Sequence, residues 1–174
     1  QLRVTLSFAL RNNTPASIDA GDPENLKIVG ANPTGHALLR FLGADLVKQD
    51  DVKLKVNIPF NSANKFSASQ VVGSQNLTLV KGAGEIVLAG CTHYLDADGN
   101  KAELDSAKVI EEMQGLSARA MRLIGLAVSE QALGQENELP KQMTLVGVFG
   151  LRDEMREESQ PAVKTARQAG IQVV

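Results

Sequence analysis

The sequence predicts an α/β (α+β) fold: a twisted, mostly antiparallel sheet flanked by helices. Three observations carry this. Residues 52–80 hold three short β-type runs separated by turns of hairpin length. Two runs, 33–47 and 104–121, place apolar residues at helical spacing. Two further apolar runs, 122–128 and 144–150, read as additional strands.

Taken in order, QLRVTLSFAL at the start is rich in β-branched and apolar side chains and reads as a strand. Residues 11–32 carry Asn, Thr, Pro, Asp and Gly at loop density around a short apolar LKIVG. From Pro33 onward, Ala37, Leu38, Phe41, Leu42 and Leu46 recur at helical spacing, with proline in the first turn. Thr34 lies too close to the start to be a clear cap. Val52, Leu54, Val56 and Ile58 then alternate with polar residues over Val52–Phe60. Phe66–Val72 and Leu77–Val80 follow as strands. Ala83–Gly90 reads as a short helix, DADGN (96–100) as a tight turn, and Leu104–Met121 as a long helix flawed by Gly115. Strands Arg122–Val128 and Thr144–Gly150 flank a polar surface loop, SEQALGQENELPKQ. A helix from about Glu157 to Ala169 stops at Gly170, and Ile171–Val174 begins another strand.

Composition narrows the function classes. A chain of 174 residues with 43 % hydrophobic and 22 % charged residues is ordinary for a globular domain and excludes wholesale disorder. Aromatics are only 3 %, with no Trp, so the core is aliphatic. A net charge of −2 argues against a nucleic-acid binder. The single Cys91 excludes an internal disulfide framework and suits a reducing compartment. No apolar run approaches the ~20 residues of a membrane helix, and no signal peptide opens the chain. The expectation is a cytosolic globular piece.

Several motifs fail on inspection. GAGEIV (82–87) follows a strand and opens a helix, with Glu103 at roughly the ~20-residue offset of a dinucleotide fingerprint, but Val87 stands at the third glycine position. No GxxxxGK[ST] exists. DADGNK has its glycine two places early for a calcium loop, with Lys101 at the glycine position, and Ala107 stands where the closing acid belongs. Cys91 and His93, with His36 elsewhere, form no zinc set and no nucleophile with an orienting group, so no metal site is expected. The Asn12-Asn13-Thr14 and Asn76-Leu77-Thr78 sequons have no consequence in a cytosolic chain.

Four segments carry more together than singly: IPFNSANKFS (58–67), LVKGAGE (79–85), AMRLIGLA (120–127) and TLVGVFGLRDEMR (144–156). Alone, Phe60 reads as core, Lys65 and Lys81 as solvated, and Arg122 as half of a rim ion pair. In order and spacing the set resembles the cytosolic nucleotide-binding domain of P-type cation-transporting ATPases. PFNSANK is similar to the sodium/potassium-pump form of that family's PFxSxxK. KGAGEIVLAGC and RDEMREESQPAVKTARQAGIQVV look like calcium-pump-like members, and NPTGHALL (32–39) resembles the PTExALL segment.

The resemblance implies a division into a nucleotide-binding domain, residues 1–152, and a fringe of the phosphorylation domain, residues 153–174. It implies ATP as ligand, with Mg²⁺ in the intact pump. Phe60 would stack on adenine. Lys81 would stand at the pocket mouth, beside Gly82, which permits close approach. Lys65 would offer an ammonium, and Arg122 a multi-donor guanidinium to the phosphates. Thr34 and Ser62 belong to the matching motifs, and Asp153 and Arg156 to the hinge. The DKTGT and TGD motifs that flank this region in the family are absent, so turnover by the chain alone is not expected. The implied partners are ATP or ADP, the phosphorylation and actuator domains, and the membrane helices of a parent pump, with no nucleic acid. The implied location is the cytoplasmic part of an integral membrane protein. Similarity points first to calcium as the transported ion and second to sodium/potassium.

Two departures matter. Gly35 replaces the family's acid near the adenine amino group, which predicts weaker or less base-selective binding unless His36 or another group substitutes. Glu154 and Met155 replace the hinge prolines. One stack and two or three exposed cations give an expected Kd on the order of 0.1–1 mM. Two other readings stay open: a non-catalytic interaction module with a lost nucleotide site, and a free-standing enzyme acting on a nucleotide or phosphate ester.

Overall fold

A computed structural model describes residues 1–19, 27–47, 50–134, 138–152 and 158–172. The chain starts with helix α1, Leu2–Asn12, where composition alone suggested a strand. The period decides: Leu2, Leu6, Ala9 and Leu10 form one apolar stripe at i, i+4, i+7 and i+8, which a strand would scatter over both faces. Within the expected loop, β1 (Ser17–Asp19) pairs antiparallel with β2 (Lys27–Val29) as a small separate ribbon.

Helix α2, Pro33–Leu42, is capped by Asn32, whose side chain accepts from the Gly35 amide at 2.7 Å; Thr34 is not the cap. Gly43, at φ +57°, ends it, and a 3₁₀ turn continues over Gly43–Val47. Strands β3 (Val52–Ile58), β4 (Phe66–Gly73) and β5 (Leu77–Ala83) form the expected antiparallel meander. Helix α3 (Gly84–Ala89) leads to β6 (Cys91–Leu95) and β7 (Lys101–Glu103), two strands not foreseen on either side of the expected tight turn. In that turn Asp96 accepts backbone bonds from Asp98 and Asn100, which hold its carboxyl below the usual carboxylate range.

Helix α4, Ser106–Ser117, is capped by Asp105 and is shorter than its apolar period suggested. Strands β8 (Arg122–Ser129) and β9 (Met143–Leu151) pair antiparallel. The loop between them is less solvated than expected: Pro140 is buried, and Leu133 and Leu139 pack on the core. Helix α5, Ser159–Gln168, buries none of its residues; of the strand expected at 171–174, residues 171–172 are non-regular and 173–174 lie outside the described residues.

The main sheet runs β3-β4-β5-β8-β9-β6-β7, antiparallel throughout except for the β6–β9 pair. Its central strands are buried on both faces, so successive residues serve different cores. Leu79, Leu126, Val128 and Val146 face α1 and α2. Val80, Ala127, Met143 and Leu145 face α3 and α4. No helix among the described residues is long and apolar enough to cross a membrane.

Candidate functional site

On the α1–α2 side of the sheet, the end of α1, the start of α2 and the ends of β3, β4, β5 and β8 surround a cleft of about 390 Å³. It lies within the size range of small-molecule sites. Phe60, Lys81, Gly82, Arg122 and Thr34, expected together from the sequence, all line it, joined by Asn13, Thr14 and Asn57. Among the described residues, none that lines it is acidic.

Phe60 lies just past β3 and is 56 % exposed, so its ring is a wall of the cleft and not part of either core. Lys81 projects from β5 on the side of Leu79. Its Nζ donates to Asn13 O at 3.2 Å and to Thr14 Oγ1 at 2.5 Å. Both acceptors follow the C-terminus of α1, the end at which a helix favours a cation. Burial nevertheless lowers the Lys81 pKa from 10.5 to about 8. Arg122, exposed at the head of β8, donates from Nη1 to Thr34 Oγ1 at 3.4 Å.

Gly82 lines the cleft with backbone alone, and its missing side chain has an internal cause. A Cβ there would stand 2.5 Å from Lys65 O and 2.6 Å from Phe66 Cβ, across the β4–β5 pairing. Gly84, also in the failed fingerprint, leaves room for Met113 Cε. At Gly35 a Cβ would come within 2.9 Å of Thr14 Cγ2. The space beside position 35 therefore holds Thr14, which also anchors Lys81. His36 does not line the cleft.

Lys65 and Ser62 are not brought to Phe60 and Lys81. Asn61 shapes their turn: its Oδ1 accepts from Asn64 N at 2.7 Å and its O from Lys65 N at 2.8 Å. Ser62 is exposed and lines neither cleft. Lys65, at φ +58°, lines a second cleft of about 660 Å³ beside α3 and α4. Arg122 lines both clefts. Asp153 and Arg156 lie outside the described residues. Among the described residues, no group of three His, Cys, Asp or Glu gathers as a metal site. The sequence offers Asn13 and Thr14 only as part of a sequon in a loop, whereas they follow directly on helix α1, whose end carries them to Lys81. The apolar stripe of α1, which ends at Leu10, was the available signal.

Fold and site define the class: a mixed α/β domain with one cleft walled by an aromatic ring, two cations and neutral amides and hydroxyls. The chain belongs to the family described as P-type ATPase, cytoplasmic domain N, whose model matches residues 3–158. It is 33 % identical over 97 % of its length to "Calcium-transporting ATPase 3, plasma membrane-type" of Oryza sativa subsp. japonica. It is 34 % identical over 97 % of its length to "Calcium-transporting ATPase PAT1" of Dictyostelium discoideum. Over 92 % of its length it is 33 % identical to "Calcium-transporting ATPase 12, plasma membrane-type" of Arabidopsis thaliana. The chain spans 17 %, 16 % and 17 % of these relatives, respectively.

Proposed function

We propose that this chain is the ATP-binding domain of a calcium-transporting P-type pump, presenting the γ-phosphate to an aspartate outside residues 1–174. The observation that carries this reading is the convergence of Phe60, Lys81 and Arg122 on one cleft. A purine stacks on the exposed face of Phe60, a contact worth about 1–3 kcal/mol by analogy with other base–aromatic pairs. Lys81, with two donors committed to Asn13 and Thr14, keeps a third for the ribose or phosphates. Arg122 supplies planar donors to the phosphate oxygens. Because Arg122 borders both clefts, phosphates passing it reach the second one, where Lys65 stands. In this reading Mg²⁺ arrives on the nucleotide, and none of the described residues lining the cleft is assigned to it.

Residues 1–152 form the binding domain in this reading. Residues 153–174 belong with a phosphorylation domain, a division supported by α5 burying none of its residues. Asp153 and Arg156 are its hinge, and the remaining partners are the actuator domain and membrane helices of the pump. The test is an NMR titration of labelled chain with ATP, ADP and AMP. Shifts centred on Phe60, Lys81 and Arg122 are expected, with a Kd on the order of 0.1–1 mM. Phe60→Ala weakens binding about tenfold while leaving the unfolding midpoint in place, because the ring is exposed. Absence of shifts at several millimolar nucleotide refutes the reading. The interaction module, favoured by Gly35, then replaces it.

A further inference from the structure

Asn57 stands near the end of β3, opposite Ser69 in β4, and lines the cleft walled by Phe60. Its amide meets Ser69 Oγ at 3.2 Å through the Oδ1 position, and Ser69 Oγ lies 3.1 Å from Asn13 Oδ1. Asn13 is only 3 % exposed, and its Nδ2 donates to Leu79 O at 3.2 Å and Ser67 O at 3.4 Å. Those two carbonyls fix the Asn13 amide with Oδ1 toward Ser69.

A hydroxyl has one proton. Asn13 Oδ1 is a buried acceptor, and leaving it without a donor is the costlier choice, so the Ser69 proton goes there. Ser69 Oγ can then only accept from Asn57. The oxygen and nitrogen of a side-chain amide are interchangeable in position, and the network assigns them. Asn57 therefore turns Nδ2 toward Ser69 and presents Oδ1 to the cleft.

We propose that Asn57 is a specificity-determining residue of the nucleotide cleft, its outward Oδ1 accepting from the 6-amino group of adenine, with Ser69 and Asn13 as positioning residues. This rests on the nucleotide reading above. An outward carbonyl accepts from the amino group of adenine and opposes the 6-carbonyl of hypoxanthine or guanine. It supplies an acceptor in a cleft where position 35 has no side chain and its flank is filled by Thr14.

The test titrates the chain and Asn57→Ala with ATP and with ITP, which differ at the purine 6-position. The chain binds ATP about fivefold tighter than ITP, the size of one net hydrogen bond. In Asn57→Ala the ratio falls to about one, with ATP weakened and ITP, relieved of the opposed carbonyl, not weakened. Asn57→Asp, an acceptor that cannot donate, keeps the preference for ATP even if its charge weakens both nucleotides. Asn57 is exposed on an edge strand, so these variants keep the fold. A preference that survives Asn57→Ala overturns the assignment and leaves nucleotide binding intact. Equal binding of ATP and ITP by the unaltered chain does the same. No binding of either nucleotide overturns both the assignment and the nucleotide reading.

Discussion

Lys81 allows a prediction that can be worked through from the structure. Its ammonium is held beside Asn13 O and Thr14 Oγ1, and burial lowers its pKa from 10.5 to about 8. Below about pH 8 both folded and unfolded chains hold the proton, and the folded state bears the full cost of burying the charge. Between about 8 and 10.5 the unfolded chain keeps a proton that the folded chain sheds. Stability therefore rises with pH across that window. At about 1.36 kcal/mol per pH unit the ceiling is about 3 kcal/mol, and partial exposure reduces it to about 2 kcal/mol. Lys81→Met removes the titration while keeping the bulk of the side chain. Urea unfolding followed by circular dichroism, from about pH 7 to about pH 10.5, gives the difference between the two chains and cancels the other lysines. That difference should grow in favour of the unaltered chain as pH rises. A flat difference refutes the burial argument. Nucleotide binding, if it uses the charged ammonium, runs the opposite way and weakens above about pH 8 in the unaltered chain alone.

Cys91 provides an opposing slope: burial raises its thiol from 9.0 to about 12, so the folded chain keeps a proton that the unfolded chain loses. Stability falls as pH rises from about 9 toward about 12, and Cys91→Ala removes that fall in the same unfolding series. Gly82→Ala should cost about 2–3 kcal/mol, because the atoms in the way are the backbone of Lys65–Phe66 and cannot rotate aside. Gly115→Ala, in open space on α4, should instead stabilise by about 0.5–1 kcal/mol. Urea midpoints check both, and equal effects at the two glycines would refute the packing account.

Legibility followed the range of the deciding interaction. Strands β3, β4, β5, β8 and β9 were readable because their runs of apolar and β-branched residues are local properties. The α1 helix was readable only from its period, because Val4 and Thr5 weigh the composition toward a strand. Strands β6 and β7 were not foreseen, since five and three residues at a sheet margin become strands only through their partners, β9 for β6 and β6 for β7. Phe60, Lys81, Gly82, Arg122 and Thr34 were named from motifs, and the fold places them around one cleft. Lys65 was named with them and stands elsewhere. It has the parity of Ser67, which in a straight strand would share the Lys81 side, but its φ of +58° turns the chain at that point.

By itself the sequence determined the family, the aliphatic core, the order of most elements and the side chains available for a site, because periodicity and motif spacing are written in local residue order. Only the tertiary structure decided that Gly82 is small to admit the neighbouring strand and that Thr14 fills the space beside Gly35. It also decided that Asn13, through Ser69, orients Asn57. Those relations join residues from 12 positions apart, at Asn57 and Ser69, to 56 apart, at Asn13 and Ser69, and each is made between separate elements, which no local pattern encodes.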